Sequence, residues 1–156
     1  MDSIKLEAVI TILTNDEVTD EDAHLVESAK KISKSAYAPY SNFQVGASIL
    51  LENGSQVDGS NQENAAYPSG LCAERVAVFS AASNYPGKTI KTIAVYANGS
   101  NDPVAPCGAC RQVIFEYEQK QKSTIRILLT NDSEKIFQIN SVSDIFPMGF
   151  KGEGLK

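Results

Sequence analysis

The spacing of apolar residues along the chain changes from helical to strand-like and back several times. Residues 21–36 carry apolar side chains at helical spacing, behind a capping threonine and first-turn acids. Residues 43–51 and 55–63 alternate or are rich in aliphatics, and the Asn53-Gly54 pair between them is typical of a two-residue hairpin turn. This part of the chain therefore predicts a helix followed by an antiparallel hairpin.

The rest of the chain predicts two more helices and three more strands. Helices are expected over residues 72–83 and 106–120, and strands over 89–97, 124–130 and 136–139. Crossover helices favour parallel neighbouring strands, whereas the hairpin is antiparallel. We therefore expect an α/β fold with three layers, α/β/α, around a mixed five-stranded sheet.

The first 18 residues fit two patterns at once. Their isoleucines and leucines alternate as in a strand, yet Leu6, Val9 and Leu13 also fit a helical stripe. We therefore treat residues 1–18 as an N-terminal extension without an assigned structure. With that extension, residues 1–156 have the length of one domain with its own hydrophobic core.

Composition narrows the class of partner. The chain is 42% hydrophobic, 21% charged and carries a formal net charge of -5, without a cluster of basic residues. A nucleic-acid binder should present such a cluster, so a small-molecule partner is expected instead. No apolar run is long enough to span a membrane. An odd number of cysteines without a secretory signal indicates a reducing, cytoplasmic setting.

The three cysteines carry the strongest chemical signal. Cys72 is followed two residues later by Glu74, and Cys107 and Cys110 lie three residues apart at the start of a predicted helix. Three thiolates can hold one zinc ion and leave its fourth position open, as catalytic zinc sites do. Two helix N-termini would then meet at one metal, with Glu74 as a carboxylate that could move protons.

The charge of such a site needs compensation. Three thiolates on a divalent ion leave a net charge of about -1, which weakens the effect of the metal on bound water. Arg75 and Arg111 each directly follow a key residue and are candidates to offset this charge by hydrogen bonding to the sulfurs. Of the two, Arg75 is the better candidate, since Arg111 could equally be a solvated helix residue.

Two other interpretations of the cysteines are open. Cys107 and Cys110 alone could form a redox pair of the thioredoxin type. Alternatively, the three cysteines could form a structural Cys₃His zinc module with His24, the only histidine. Such a protein would be a binding or scaffold module and not an enzyme.

The motifs around the cysteines resemble a known family. The zinc deaminases carry His-x-Glu followed by Pro-Cys-x-x-Cys. Residues 72–75, Cys-Ala-Glu-Arg, and 106–112, Pro-Cys-Gly-Ala-Cys-Arg-Gln, resemble the signature of the small homotetrameric zinc-dependent cytidine deaminases. Residues 37–47, 59–67 and 146–150 resemble three further segments of that family, in the same order.

The resemblance implies a cytidine-deaminase-like fold and zinc-dependent hydrolytic deamination. The products are uridine or 2′-deoxyuridine and ammonia, in pyrimidine salvage. The resemblance further implies one zinc per subunit, held by Cys72, Cys107 and Cys110, with Glu74 as the catalytic proton shuttle. The partner is then a nucleoside, and the protein a homotetramer with shared active sites. A deaminase of another aminopyrimidine nucleoside, or of a nucleoside-like antibiotic, is the alternative.

The resemblance also assigns roles in substrate binding. Asn61 and Glu63 bracket the ribose hydroxyls, and Phe43 stacks on the pyrimidine. The backbone around Ala73 hydrogen-bonds the pyrimidine edge, and Phe150 reaches the base from a neighbouring subunit. Without the motif, these side chains would more often be structural.

Overall fold

A computed structural model describes residues 1–133 and 135–155 of the chain. In this described part, six strands form a single sheet with the strand order β1-β6-β5-β4-β2-β3. The strands and the three α-helices are β1 Thr11–Thr14, α1 Asp20–Ser33, β2 Val45–Leu51, β3 Gln56–Ser60, α2 Ala73–Asn84, β4 Ile90–Ala97, α3 Gly108–Gln121, β5 Arg126–Thr130 and β6 Lys135–Ile139. Short 3₁₀ turns cover Tyr67–Ser69, Val142–Asp144 and Gly152–Leu155.

The sheet is mixed, as expected. β4 and β5 run parallel and are joined by the crossover helix α3, whereas every other neighbouring pair is antiparallel. β2 and β3 form the predicted hairpin, whose turn contains Gly54 at a φ of 81°. The predicted α/β class is therefore confirmed.

Helices cover both faces of the sheet and give three layers. On β4, Ile93 and Val95 face one side and Ala94 and Tyr96 the other, because successive strand residues alternate. The first side packs against α2 and α3, and the second against α1. The two hydrophobic clusters lie on opposite sides of the central strands, so α2 and α3 share a layer.

The prediction of five strands is wrong by one. The sixth strand, β1, lies in the N-terminal extension and pairs antiparallel with β6, with Thr11 opposite Gln138. Most of its side chains are exposed, and only Leu13 packs against the core cluster beneath α1. A short edge strand that buries little surface has no clear apolar period in its sequence. This explains why residues 1–18 fitted both a strand and a helix pattern.

A glycine fixes how closely α2 approaches the sheet. A Cβ on Gly59 of β3 would lie 2.6 Å from the backbone nitrogen of Ala77 and 2.9 Å from the carbonyl oxygen of Ala73. Any side chain there would push α2 away, so Gly59 permits the contact that places the start of α2 beside the end of β3.

None of the helices within residues 1–133 and 135–155 combines the length and the apolar character that a membrane span requires.

Candidate active site

The three cysteine sulfurs come together at the starts of two helices. Cys72 and Cys107 are the N-cap residues of α2 and α3, and Cys110 lies in the first turn of α3. The Sγ atom of Cys107 lies 3.8 Å from that of Cys72 and 3.6 Å from that of Cys110, and all three sulfurs are within 4.8 Å of one another. Zinc–sulfur bonds of about 2.3 Å in tetrahedral geometry place neighbouring sulfurs about 3.8 Å apart. The cluster therefore fits one zinc ion.

The surroundings of the sulfurs favour negative charge. The first backbone N–H groups of α2 and α3 have no partner within their helices, and the positive ends of both helix dipoles lie at the N-cap residues Cys72 and Cys107. Arg75 Nη2 donates a hydrogen bond to Cys72 Sγ at 3.8 Å. Its buried Nε has no hydrogen-bond partner in the described part of the chain. Arg75 is thus directed at the sulfur of Cys72.

The pKa values of the Cys72 and Cys110 thiols are shifted in opposite directions. A hydrogen bond from Cys110 lowers the pKa of the Cys72 thiol to about 5, and Arg75 and Cys107 act in the same direction while burial opposes them. The same hydrogen bond with Cys72 raises the pKa of Cys110, which burial raises further. Thiolate character therefore concentrates on the sulfur that faces Arg75, and the thiolate is the form that binds a metal.

Glu74 lies in the first turn of α2 and is only 5% exposed. Burial raises the pKa of its carboxyl to about 7, with the nearby Cys72 thiolate adding to the rise and hydrogen bonds from its own backbone and from Cys110 opposing it. A carboxyl that changes protonation near neutral pH is suited to both accepting and donating a proton.

Two adjoining cavities lead to the sulfurs. The smaller, about 180 Å³, contains Glu74, Phe43, Cys72 and Cys107 in its wall. The larger, about 540 Å³, is lined by Glu63, Tyr40, Tyr67 and Arg75 among others. Asn61 and Cys72 line both cavities. The two cavities therefore bring Phe43, Asn61 and Glu63 into one continuous region with Glu74 and the sulfurs of Cys72 and Cys107.

Asn61 and Glu63 lie just beyond the end of β3, not within it. The predicted strand extends to residue 63, but β3 ends at Ser60, and Gln62 continues only through isolated bridges to Tyr37 and Leu71. The Asn61 side-chain amide is hydrogen-bonded to the backbone. Its Nδ2 donates to the Phe43 carbonyl oxygen at 2.9 Å. Its Oδ1 accepts from the Val45 N–H at 2.8 Å.

The remaining predicted residues differ in position. Ala73, the first residue of α2, is fully buried beside Glu74. Phe150 is 62% exposed on the C-terminal segment and lines neither of the two cavities. Arg111 is hydrogen-bonded to the backbone, since it donates to the carbonyl oxygens of Pro106 and Ile145, each at 2.7 Å.

The structure adds residues that the sequence did not assign. Tyr40 and Tyr67 line the larger cavity, with ring centroids 6.0 Å apart in an edge-to-face arrangement. Ser41, which also lines this cavity, donates a hydrogen bond to Glu63. Ser41 lies in a segment that resembles the family, but the sequence did not indicate a role for it. The structure shows its contact with Glu63, 22 residues away.

The alternative of a Cys₃His site is not supported by the geometry. His24 is exposed on α1, which covers the face of the sheet opposite to α2 and α3. Within residues 1–133 and 135–155, the group that could hold a metal consists of the three cysteines alone. The cysteines are free, and Cys107 lies nearly as close to Cys72 as to Cys110, which is the arrangement of a shared ligand set.

Comparison with known proteins agrees with this geometry. Residues 19–125 match the family model of the cytidine and deoxycytidylate deaminase zinc-binding region. The chain is 41% identical to a cytidine deaminase from Sporosarcina psychrophila over 131 residues, which are 84% of this chain and 92% of that relative. It is 40% identical to a cytidine deaminase from Halalkalibacterium halodurans over 131 residues, or 84% of this chain and 95% of the relative.

Solved structures show the same fold. The crystal structure of cytidine deaminase from Burkholderia pseudomallei superposes with a TM-score of 0.75 at 41% identity, covering 85% of this chain and 100% of that one. Cytidine deaminase from Mycobacterium tuberculosis gives a TM-score of 0.67 at 30% identity, with 86% and 99% covered. The chain belongs to the zinc-binding cytidine and deoxycytidylate deaminase family, and its three-cysteine cluster is consistent with one zinc site.

Proposed function

We propose that the protein is a zinc-dependent cytidine deaminase, which hydrolyses cytidine and 2′-deoxycytidine to uridine and 2′-deoxyuridine with release of ammonia. One observation carries the proposal: three sulfurs within 4.8 Å of one another adjoin a cavity that also contains the buried carboxyl of Glu74. The cytidine deaminases that this chain matches over more than nine-tenths of their own length support the choice of substrate.

Glu74 is the catalytic residue of this proposal. A zinc ion held by Cys72, Cys107 and Cys110 supplies Lewis-acid activation of the water that attacks C4 of the pyrimidine. Glu74 takes a proton from that water and passes it to ring N3, which makes C4 electrophilic. Glu74 then takes the remaining hydroxyl proton and gives it to the amino group, so that the C4–N bond breaks and ammonia leaves.

The rest of the pocket binds and orients the nucleoside. Phe43, in the wall of the smaller cavity, stacks on the pyrimidine ring. Glu63 and Asn61 accept hydrogen bonds from ribose hydroxyls, because each keeps lone pairs that its backbone contacts leave free. The backbone N–H of Ala73, at the start of α2, has no partner within the helix and binds the pyrimidine edge.

We propose a homotetramer in which Phe150 enters the active site of a neighbouring subunit, which its 62% exposure and its place outside both cavities support. We also propose pyrimidine salvage in the cytoplasm, where a reducing environment keeps the free thiols available for zinc.

Ultraviolet assays test the reaction. Purified protein is mixed with cytidine, 2′-deoxycytidine, cytosine-containing single-stranded DNA or RNA, or a cytosine nucleoside antibiotic, and zinc is measured on the same preparation. We expect turnover of the two nucleosides and about one zinc per chain, with none left in Cys72→Ala, Cys107→Ala or Cys110→Ala. Turnover of only the polymer or only the antibiotic would contradict the proposed substrate.

Subunit mixing tests the shared active site. Glu74→Gln and Phe150→Ala are each expected to lower activity, but they damage different contributions to one site. If Phe150 acts on a neighbour, tetramers reassembled from both variants contain sites with an intact Glu74 and an intact Phe150, so activity rises above that of either variant. An unchanged activity in a mixture shown to contain hybrid tetramers would rule out this exchange.

A further inference from the structure

The loop before β2 is tied to Glu63 by hydrogen bonds to both carboxylate oxygens. Glu63 Oε2 accepts from the backbone N–H groups of Tyr40 at 2.9 Å and of Ser41 at 3.3 Å, and Oε1 accepts from the Ser41 hydroxyl. These bonds hold the pKa of Glu63 below its usual range, against the effect of burial. The bond from the Ser41 hydroxyl lowers this pKa the most. Glu63 is therefore a structural anchor as well as a candidate ribose ligand.

The Ser41 hydroxyl also accepts a hydrogen bond. The backbone N–H of Phe43 donates to Ser41 Oγ at 3.0 Å. A single hydroxyl thus joins the Glu63 carboxylate to the backbone of the residue proposed to stack on the base. Between them, Asn42 has a φ of 55°, in the left-handed region that asparagine tolerates better than most residues.

Both polar backbone groups of Phe43 are bound by the ribose-binding candidates. Asn61 binds the Phe43 carbonyl directly through Nδ2 at 2.9 Å, and Glu63 binds the Phe43 N–H through Ser41. The backbone position of Phe43 therefore depends on the same two side chains that are proposed to bind the ribose.

We propose that Ser41 is a positioning residue, which couples the Glu63 carboxylate to Phe43 so that the ribose and base contacts form together. This inference rests on the proposed cytidine deaminase function. Removal of the hydroxyl frees the Phe43 N–H and lets the loop move away from Glu63, which weakens nucleoside binding. The cysteine cluster and Glu74 are on other elements, α2 and α3, so zinc content and the chemical step stay as they are.

Three variants measure the effect on cytidine turnover. We expect Ser41→Ala to raise KM about fivefold to tenfold, within the range for loss of a typical solvent-exposed hydrogen bond, with kcat within about twofold of the original. Ser41→Thr keeps the hydroxyl, and its extra methyl has room because Ser41 is exposed, so KM returns near the original value. Ser55→Ala, in the distant β2–β3 turn, is the matched control.

Amide hydrogen exchange of Phe43 provides a readout without substrate. The Phe43 N–H is expected to exchange faster in Ser41→Ala than in the original protein, and at the original rate in Ser41→Thr and Ser55→Ala. This comparison reports the hydrogen bond to Ser41 directly and does not depend on turnover.

The outcomes separate the inference from the function. A raised KM with faster Phe43 exchange in Ser41→Ala, both restored in Ser41→Thr, supports the inference. An unchanged KM, an effect on kcat alone, equal loss in Ser41→Thr or unchanged exchange would overturn it. If the original protein turns over no cytidine, the proposed function fails, and the exchange comparison still decides whether Ser41 holds Phe43.

Discussion

Gln112 holds the backbone of Phe150 at two points. Gln112 Nε2 donates to the Phe150 carbonyl oxygen at 3.0 Å, and the Phe150 N–H donates to Gln112 Oε1 at 3.2 Å. Gln112 follows Cys110 by only two residues on α3, and Arg111 between them binds the Ile145 carbonyl. The helix that contributes two sulfurs to the cluster therefore also fixes the C-terminal segment.

The first prediction concerns this contact. Gln112→Ala releases the Phe150 backbone, and we expect kcat/KM to fall about threefold to tenfold, the usual range for one neutral hydrogen bond, because water replaces part of what is lost at this exposed contact. If Gln112 acts only by placing the phenylalanine, Gln112→Ala in a Phe150→Ala background has no further effect. Gln138→Ala, on β6, is the control. Additive losses in the double variant would show that Gln112 has another role.

The second prediction concerns the buried carboxyl. Glu74→Gln keeps the shape of the side chain but can no longer accept and return a proton, so we expect kcat to fall at least about 10²–10⁴-fold. Zinc content and the affinity for uridine, measured by calorimetry, stay near the original values. Glu116→Gln, exposed on α3, is the matched control. Near-normal turnover in Glu74→Gln would refute the proton shuttle.

The third prediction concerns the charge next to the sulfurs. Arg75→Ala removes the donor to Cys72, so we expect zinc to pass more readily to a chelator and turnover to fall. Arg75→Lys keeps the charge but lacks the planar guanidinium. We expect its zinc release and its turnover to lie between those of Arg75→Ala and the original protein. Chelator competition followed with a metal-sensitive dye measures the release rate. Full zinc retention and full turnover in Arg75→Ala would exclude a charge-balancing role.

The fourth prediction concerns stability away from the pocket. Glu118 Oε1 accepts from the backbone N–H groups of Ile125 and Val142, and Oε2 accepts from the Ser141 hydroxyl. Glu118→Ala leaves two buried donors unpaired and is expected to lower the free energy of unfolding by about 2–4 kcal/mol. Glu118→Gln keeps one acceptor oxygen and costs about 1 kcal/mol.

Urea denaturation of the zinc-loaded protein provides this measurement. Glu116→Ala, on the exposed side of the same helix, is expected to change the unfolding free energy by no more than about 0.5 kcal/mol. Equal losses in Glu118→Ala and Glu116→Ala would mean that the buried hydrogen bonds contribute nothing specific.

The sequence predicted those parts of the molecule that depend on local spacing. The interval between Cys107 and Cys110 is a local property, so the two sulfurs could be placed at one helix start in advance, although the helix was expected from residue 106 and begins at Gly108. The apolar run of β4 likewise predicted a buried strand, because a strand buried on both faces is apolar at successive positions. β1 was not predicted because its side chains are mostly exposed, and an exposed strand lacks a distinct apolar period.

Contacts between distant residues could not be read from spacing. Ser41 and Glu63 are 22 residues apart, and Gln112 and Phe150 are 38 residues apart. Neither pair has a periodic pattern that connects its members, and each depends on how the loop or tail folds back. Arg111 illustrates the same limit, because its two carbonyl acceptors become neighbours only when the C-terminal segment packs against α3.

The position of β1 affects how the molecule meets other chains at that end of the sheet. Without β1, β6 would be an edge strand with unpaired backbone N–H and C=O groups, to which a strand from another molecule could be added. Instead the outermost strand is only four residues long, and Asp16 and Glu17 follow it after Asn15. A short edge strand flanked by negative charge pairs poorly with a strand of another molecule, so the N-terminal extension disfavours edge-to-edge aggregation.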